Sequence, residues 1–233
     1  KFSLRELAEA GVDVLPTEWI PQASEVTLHS VVDRNDWDRA VVKPAIGTSS
    51  TGVWETSVEE AQADQARFES MLASQDVLVQ QFAPEITSGE LSVVFLSGEY
   101  SHASRSVPAS DEFRSHPSFG GTTRSYSPSD SLVAEAKGVL IEASEILDLP
   151  LGHLPYARVD GLVRDGTFEL MELELIEPYL GLERDPAAPA RLANAILSAL
   201  GVDGGSGDTD RSGESAGSTP EPLEQQKPSS LNQ

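Results

Sequence analysis

The feature that most restricts the fold of this chain is a pair of tight turns, each joining two runs in which apolar and polar residues alternate. The turns are Ser97-Gly98 and Asp165-Gly166, and the runs that they join are 91–96 with 100–107 and 156–163 with 168–175. Turn dipeptides of this kind between two alternating runs are typical of β-hairpins. The sequence therefore predicts two pairs of antiparallel strands.

Apolar periodicity predicts the remaining elements. Three runs are typical of strands: 12–15, 40–42 and 77–82. Four are typical of helices. Three of these are 3–10, 132–147 and 187–200, and the fourth follows the capping box Ser57-Val58-Glu59-Glu60 and ends at about residue 73. Residues 108–130 read as one long polar loop, and such loops are usually functional or mobile. Helices mixed with antiparallel hairpins indicate an α+β fold.

The last segment, 203–233, differs from the rest in composition. It is rich in Gly, Ser, Pro and acids, and its apolar residues are Ala216, Leu223 and Leu231. So few apolar side chains cannot offset the entropy of ordering the segment, and we expect it to be disordered.

Charge and composition exclude several classes of function. There are 38 acids against 16 bases, a formal net charge of −22, so nucleic acid and anionic membranes are excluded as partners. The chain contains no cysteine, which excludes disulfides and thiolate sites. It also lacks an apolar run of about 18 residues, so we expect no membrane-spanning helix.

A lysine and a loop of small residues form the first candidate site. Lys43 ends an apolar strand, and residues 47–52 follow, bounded by Gly47 and Gly52 and rich in hydroxyls. Such a loop can surround a polyphosphate with N–H groups and hydroxyls. It is not a Walker A loop, because the lysine precedes the glycines. A flexible turn after an edge strand is the alternative.

The second candidate site is acidic. Arg158 and Asp160 share one face of a predicted strand, and Glu172 and Glu174 share one face of the next. Pairing across the turn can bring the three carboxylates together, and hard oxygen ligands suit Mg²⁺. The alternative is an acidic, solvated strand face.

The third candidate site follows the strand 77–82. An apolar strand that runs into a linker offers backbone donors and acceptors to a flat base, and a carboxylate beyond it can take two ribose hydroxyls. A core strand that leads to a surface turn is the alternative. His116, in the long loop with Arg114, could contact substrate or be a surface residue.

In this order the motifs resemble the ATP-grasp superfamily over roughly residues 1 to 182. Within it they are similar to the glutathione synthetase-like branch, and to the cyclo-ligases of cycloserine biosynthesis in that branch. Residues 7–12, 16–19, 98–103 and 171–178 carry this likeness. The resemblance implies two α+β lobes that hold ATP between them. The implied parts are 1–16 as the start of the core, 17–82 as the small lobe, 83–202 as the large lobe and 203–233 as the tail.

The resemblance also implies a role for each site residue. The ATP-contacting set is Lys1, Lys43, the lid-loop residues Gly47, Ser49, Ser50 and Gly52, the adenine-site residues Gln81, Phe82 and Ala83, and Glu85 or Glu90 for the ribose. The metal set is Asp160, Glu172 and Glu174, holding two Mg²⁺ ions, with Mn²⁺ as an alternative. Arg105 would lie near the transferred phosphoryl group and Arg158 beside the metals. Many relatives have Asn at the position of Glu174.

The implied activity is ATP-dependent ligation of a small-molecule carboxylate and an amine, or an intramolecular cyclisation, through an acyl phosphate. An ATP-binding module without ligase activity is the alternative, and an acidic interaction protein is the rival that binds no nucleotide. We expect a cytoplasmic location and an N-terminal substrate-side domain that is missing from this chain, with a homodimer as the candidate assembly.

The sign of the charge generates a prediction about salt. Only four bases are lysines, and acid-rich, lysine-poor chains resemble proteins from halophilic organisms, in which molar salt shortens the Debye length to about 3 Å. The melting temperature should therefore fall steeply when molar KCl is replaced by dilute buffer, because surface carboxylates then repel one another. A melting temperature that is independent of salt would contradict the halophilic interpretation.

Overall fold

The computed structural model describes residues 3–47 and 49–201. Within them, helices pack on two antiparallel sheets, which confirms the predicted α+β class. Lys1 and the predicted disordered tail 203–233 lie outside the described residues. Among the described helices, none is both long and apolar enough to span a bilayer.

The first sheet is formed by residues 17–81. Its strands are β1 (Thr17–Ile20), β2 (Arg39–Pro44), β3 (Trp54–Ser57) and β4 (Val77–Gln81). They are arranged in the order β1-β4-β2-β3, and every pair is antiparallel. Helices α2 (Leu28–Arg34) and α3 (Ala61–Leu72) cover one face, where Val31, Phe68 and Val79 are buried in one core.

The second sheet contains both predicted hairpins. Its strands are β5 (Glu90–Leu96), β6 (Glu99–Val107), β7 (Thr122–Tyr126), β8 (Tyr156–Arg164) and β9 (Thr167–Glu174). The order is β7-β6-β5-β8-β9. The turn residues Ser97, Gly98, Asp165 and Gly166 all have positive φ, as a two-residue hairpin turn requires.

Helices cover both faces of this sheet, because its central strand is apolar on both sides. Helices α1 (Ser3–Glu9) and α4 (Asp130–Ile146) pack on the face that includes Phe95. Helix α5 (Ala188–Ala199) packs on the other face, which includes Val94. The period-two alternation of β5 thus divides the core into two layers.

Four sequence predictions need correction. The predicted strand 12–15 makes only an isolated bridge, between Val14 and Leu170. The loop predicted over 108–130 contains the edge strand β7, whose polar residues carry no apolar signal. The helix predicted to begin directly after Ser57 begins at Ala61. The Glu60 amide donates to Ser57 Oγ at 3.2 Å, as in a capping box, but Ser57 is the last residue of β3 and a turn separates it from the helix. The strands β1 and β3 and the helix α2 were not predicted, although Thr27 caps α2 by accepting from the Ser30 amide.

A short linker joins the two sheets. It runs from the end of β4 to the start of β5 and contains a 3₁₀ turn, Pro84–Ser88. We propose residues 82 and 83 as the boundary between the two lobes, since the strands of each sheet lie wholly on one side of it.

A shift of register in the β8–β9 hairpin fixes its acidic face. Asp160 lies opposite Glu172, and the register shifts between Asp160 and Gly161. Gly161 is required there, because a Cβ would lie 2.5 Å from Phe168 Cζ and would also strike the Glu169 carbonyl oxygen.

Replacement of this glycine should therefore destabilise the fold. Gly161→Ala should lower the free energy of unfolding by about 1–3 kcal/mol through overpacking. Gly138→Ala, in helix α4, is the control. A Cβ added at Gly138 would have no atom within 4 Å, and alanine is favoured over glycine in a helix by up to about 1 kcal/mol. Chemical denaturation measures both, and a Gly161→Ala variant as stable as wild type would contradict the packing described.

Candidate functional site

One cavity lies between the two sheets. It has a volume of about 690 Å³, within the usual size range of a small-molecule site. Lys43 of β2 lines it from the first sheet, while Glu172 and Glu174 of β9 and Arg158 of β8 line it from the second. The lysine and the acidic hairpin therefore face the same space.

The three predicted metal ligands converge at this cavity. One carboxylate oxygen each from Asp160, Glu172 and Glu174 lies within 4.8 Å of the others. Asp160 is only 1% exposed, beneath the two glutamates that line the cavity. Three carboxylates this close repel unless a cation lies among them, and an all-oxygen set fits Mg²⁺ or Mn²⁺.

Arg158 holds two of these acids in position. Its Nε donates to both oxygens of Asp160, at 3.0 and 2.9 Å, and its NH2 to Glu174 Oε1 at 2.7 Å. Burial raises the pKa of Asp160, and the charge of Arg158 opposes that effect. Burial would lower the pKa of Arg158, but Asp160 raises it above its ordinary value. One guanidinium thus offsets part of the charge of two of the three carboxylates.

Lys43 is also held in place by its neighbours. Its Nζ donates to Gln80 Oε1 at 2.5 Å, and Gln80 Nε2 donates to Thr17 Oγ1 at 2.9 Å. Gln80 is buried, so this chain fixes the lysine ammonium at the cavity wall.

Of the two candidate ribose acids, only Glu90 lines the cavity. Burial, and then the charge of Asp160, raise its pKa to about 7. Its Oε2 accepts a hydrogen bond from Ser115 Oγ at 2.5 Å. Glu85 instead accepts from Arg164 Nε at 3.3 Å.

The predicted adenine linker forms an apolar part of the wall. Ala83 is buried in a cluster with Leu15, Ile86 and Leu162, and Phe82 packs against that cluster. The amides of Gln81 and Phe82 donate to backbone carbonyls at 2.8 and 3.0 Å. The Ala83 amide has no protein acceptor among the described residues, so it is the linker donor available to a ligand.

The small-residue loop bends sharply over the cavity. Gly47, Ser49 and Ser50 line it, and both serines have positive φ. Gly52 does not line the cavity, and a Cβ there would lie 3.3 Å from Met71 Cε. Residue 48 is outside the described residues.

Arg105 packs against an aromatic ring and does not line the cavity. Its guanidinium lies 3.9 Å from the centroid of the Tyr126 ring, and Arg105 is not among the residues that line the cavity. Its Nε is buried without a partner among the described residues.

The long loop supplies residues that the sequence interpretation did not assign. Phe113, Arg114 and Ser115 line the cavity, as does His116, for which a substrate contact was one of two alternatives. The Arg114 Nε and NH2 donate to the two oxygens of Glu112 at 2.9 and 2.6 Å. These hydrogen bonds lower the pKa of Glu112 to about 2. In the sequence, the Glu-Phe-Arg run ahead of Gly120-Gly121 was the one feature that could have indicated these cavity residues.

Comparison with known proteins places this geometry in a family. The family model of the ATP-grasp domain of prokaryotic glutathione synthetase matches residues 12–141, more than half of the chain. The chain belongs to this ATP-grasp family. The resemblance drawn from the sequence motifs is therefore confirmed, as is the ATP-grasp fold.

The ATP-grasp chain is also similar to a curated protein and to its crystal structure. It is 29% identical over 211 residues to the cycloserine biosynthesis protein DcsG of Streptomyces lavendulae, covering 86% of this chain and 69% of that one. The crystal structure of D-cycloserine synthetase DcsG matches with a TM-score of 0.75 and 27% identity, over the same shares of the two chains.

Two more distant structures show the fold alone. D-alanine–D-alanine ligase from Bacillus anthracis, complexed with ATP, matches with a TM-score of 0.61 at 18% identity, covering 86% of this chain and 65% of that one. The ATP-grasp ligase PsnB, complexed with a precursor variant, Mg and ADP, matches with a TM-score of 0.54 at 21% identity, over 83% and 57%.

The buried ion pair generates a prediction about stability. Arg158→Met should lower the free energy of unfolding by about 3–5 kcal/mol, because Asp160 would stay buried without its cation. The control is Arg34→Met, which removes the surface pair between Arg34 and Glu18 and should cost less than about 1 kcal/mol. Equal losses in the two variants, measured by chemical denaturation, would contradict the role given to Arg158.

Proposed function

We propose that this chain is the catalytic core of an ATP-dependent ligase, which joins a carboxylate to an amine through an acyl phosphate and uses Mg²⁺. The observation that supports this proposal most strongly is that Lys43 lines the same cavity as Glu172 and Glu174, which belong to the other sheet. Asp160 lies beneath those two acids. A triphosphate between a cation on one wall and metal-binding acids on the other fits this arrangement.

The wall of the cavity suggests where each part of ATP binds. Adenine lies against the apolar cluster that contains Leu15 and Ala83, and the Ala83 amide donates to a ring nitrogen. Glu90 accepts the ribose hydroxyls. Lys43 and the hydroxyls of Ser49 and Ser50 bind the phosphates.

The acid triad is the proposed metal site. When bound there, Mg²⁺ neutralises charge on the ATP phosphates. Asp160, Glu172 and Glu174 would supply the oxygen ligands for two ions, and Arg158 keeps Asp160 and Glu174 in position.

The first chemical step transfers the γ-phosphoryl group. A substrate carboxylate oxygen forms a bond to the γ-phosphorus, the bond between that phosphorus and the β,γ-bridging oxygen breaks, and ADP leaves. Arg114 lines the cavity and is oriented by Glu112, so we propose it, in preference to Arg105, as the side chain that stabilises charge on the transferred group.

The second step forms the product bond. An amine attacks the carbonyl carbon of the acyl phosphate, a tetrahedral intermediate collapses, phosphate leaves and the nitrogen loses a proton. No protein nucleophile is needed, because positioning and charge stabilisation supply the catalysis. Gly47, Ser49 and Ser50, together with the segment 113–116, limit the access of water, which would otherwise hydrolyse the acyl phosphate.

The substrate class follows from the relatives as a proposal. One similar structure is named a D-cycloserine synthetase, one a D-alanine–D-alanine ligase, and one is a complex of an ATP-grasp ligase with a precursor. We therefore propose an amino acid or peptide-like carboxylate, with a separate amine or an internal nucleophile as acceptor.

Nucleotide binding gives the first test. MgATP at 100 times its dissociation constant should add about 2.7 kcal/mol to the free energy of unfolding, seen as a rise in melting temperature. Glu172→Gln should abolish most of this rise while the apoprotein stays folded. Glu169→Gln, on the same strand but outside the cavity, is the matched control and should keep the rise. Full MgATP stabilisation of the Glu172→Gln variant would remove Glu172 from the site.

Turnover separates the ligase from its alternative. The full chain, with MgATP and a panel of amino acids and dipeptides, should release ADP and phosphate with at least one substrate pair. MgATP binding without ADP release across the panel would favour an ATP-binding module without ligase activity.

A further inference from the structure

A row of polar side chains crosses the strands of the first sheet and ends at Lys43. Thr17 of β1, Gln80 of β4 and Val41 of β2 lie opposite one another. Lys43 is two residues beyond Val41, so its side chain is on the same face of the sheet as that of Gln80. Gln80 is 2% exposed, and a buried amide needs partners for both its oxygen and its nitrogen.

The hydrogen bonds of this row have one direction. The Lys43 ammonium can only donate, and it donates to Gln80 Oε1 at 2.5 Å. Gln80 Nε2 donates in turn to Thr17 Oγ1 at 2.9 Å. The Thr17 hydroxyl has a single proton and gives it to the Leu15 carbonyl oxygen at 2.7 Å, which can only accept. The direction of the row is therefore set at the Leu15 end as well as at the lysine.

Only one orientation of the Gln80 amide satisfies this row. A flipped amide would place its NH2 group against the Lys43 ammonium, where two donors would meet. It would also place its oxygen against the Thr17 oxygen, whose proton is already given to Leu15. Both hydrogen bonds of a buried side chain would then be lost, and such a loss is costly. The Thr17 hydroxyl therefore selects the orientation that presents an acceptor to Lys43.

The far end of the row is held by a strand of the second sheet. The Leu15 amide donates to the Leu170 carbonyl at 3.1 Å, and the Leu170 amide donates to the Asp13 carbonyl at 2.8 Å. Leu170 is in β9, two residues before Glu172. Because the Leu15 backbone is held on this strand, its carbonyl oxygen is a fixed acceptor for Thr17. The row thus connects Lys43 with the strand that carries two of the three acids.

We propose that Thr17 is a positioning residue for ATP binding, which fixes the Gln80 amide so that the amide holds the Lys43 ammonium where the phosphates bind. This inference rests on the proposed function, in which Lys43 binds the phosphates of ATP. Thr17 itself is not among the residues that line the cavity, whereas Gln80 and Lys43 are. The effect of Thr17 on the nucleotide is therefore transmitted through Gln80.

Loss of the Thr17 hydroxyl should weaken nucleotide binding. In Thr17→Val, a substitution that nearly conserves size, Gln80 Nε2 loses its acceptor. The amide then turns toward the cavity that Gln80 lines, and Lys43 loses the acceptor that Gln80 provides. The dissociation constant of MgATP, measured by calorimetry on the full chain, should rise several-fold.

Three further variants accompany this measurement. Thr17→Ala removes the same hydroxyl and should reproduce the loss, whereas Thr17→Ser keeps the hydroxyl and should restore the affinity of the wild type. Thr56→Val is the matched control, because it removes from the same sheet a buried hydroxyl that has no hydrogen-bond partner among the described residues. It should bind MgATP as the wild type does. Melting curves without nucleotide show that each variant is folded.

A second background tests whether Thr17 acts through the Gln80 amide. In Gln80→Glu the two carboxylate oxygens are equivalent, so there is no orientation to select, and Lys43 receives a charged acceptor. Thr17→Val added to Gln80→Glu should therefore cause no further loss of MgATP affinity. A substitution that weakened binding by disturbing the Leu15 wall or the sheet would instead act equally in both backgrounds.

The outcomes separate this inference from the proposed function. Failure of the wild type to bind MgATP would refute the proposed function. Binding by the wild type with no loss in Thr17→Val would overturn the role of Thr17 and leave the proposed function intact. An equal loss from Thr17→Val in the wild-type and Gln80→Glu backgrounds would also overturn that role, as would a Thr17→Ser variant that binds as weakly as Thr17→Val.

Discussion

A single guanidinium, that of Arg158, makes the arrangement of the cavity possible. It binds Asp160 and Glu174 through its side chain and donates from NH1 to the Tyr179 carbonyl at 2.9 Å. A buried carboxylate such as Asp160 is costly without a cation beside it. The same contacts aim the acids at the cavity and tie the segment after β9 to the sheet. Stability and site geometry are therefore set by one group of contacts.

The β-hairpin that carries this group depends on backbone geometry as much as on charge. The turn at Asp165-Gly166 sets the pairing of β8 with β9, and the register shift next to Gly161 sets which residues face each other. Arg158 lies opposite Glu174 and Asp160 opposite Glu172 as a result. A one-residue shift of register would place the acids of one strand on the core face, where they could not remain charged.

The sequence predicted the parts of the fold that have strong local signals. The hairpin turns and the alternating acids were sufficient to predict that Asp160, Glu172 and Glu174 lie together, because period-two alternation and a two-residue turn leave little freedom. The edge strand β7 was missed, because its residues are polar and its pairing with β6 depends on a distant partner. Helix α2 is only seven residues long, and its core residues gain their burial from the first sheet.

Some residues of the cavity wall could be predicted from local sequence motifs, and others could not. Lys43, the linker residues and Glu90 could be singled out, since each lies at or next to the end of a predicted strand. Ser115 and the Glu112–Arg114 pair could not be assigned, because their position depends on how the connection between β6 and β7 folds back at Gly121. Residues distant in sequence met at the cavity only through the packing of two sheets.

The central claim is that a metal-bound triphosphate lies between Lys43 and the acid triad. Crystals of the full chain with Mn²⁺ and a non-hydrolysable ATP analogue test it most directly, because anomalous scattering locates manganese without reference to the protein atoms. The account predicts manganese ligated by Asp160, Glu172 and Glu174, with the phosphates between that ion and the Lys43 ammonium. Manganese bound elsewhere, or a nucleotide outside this cavity, would contradict it.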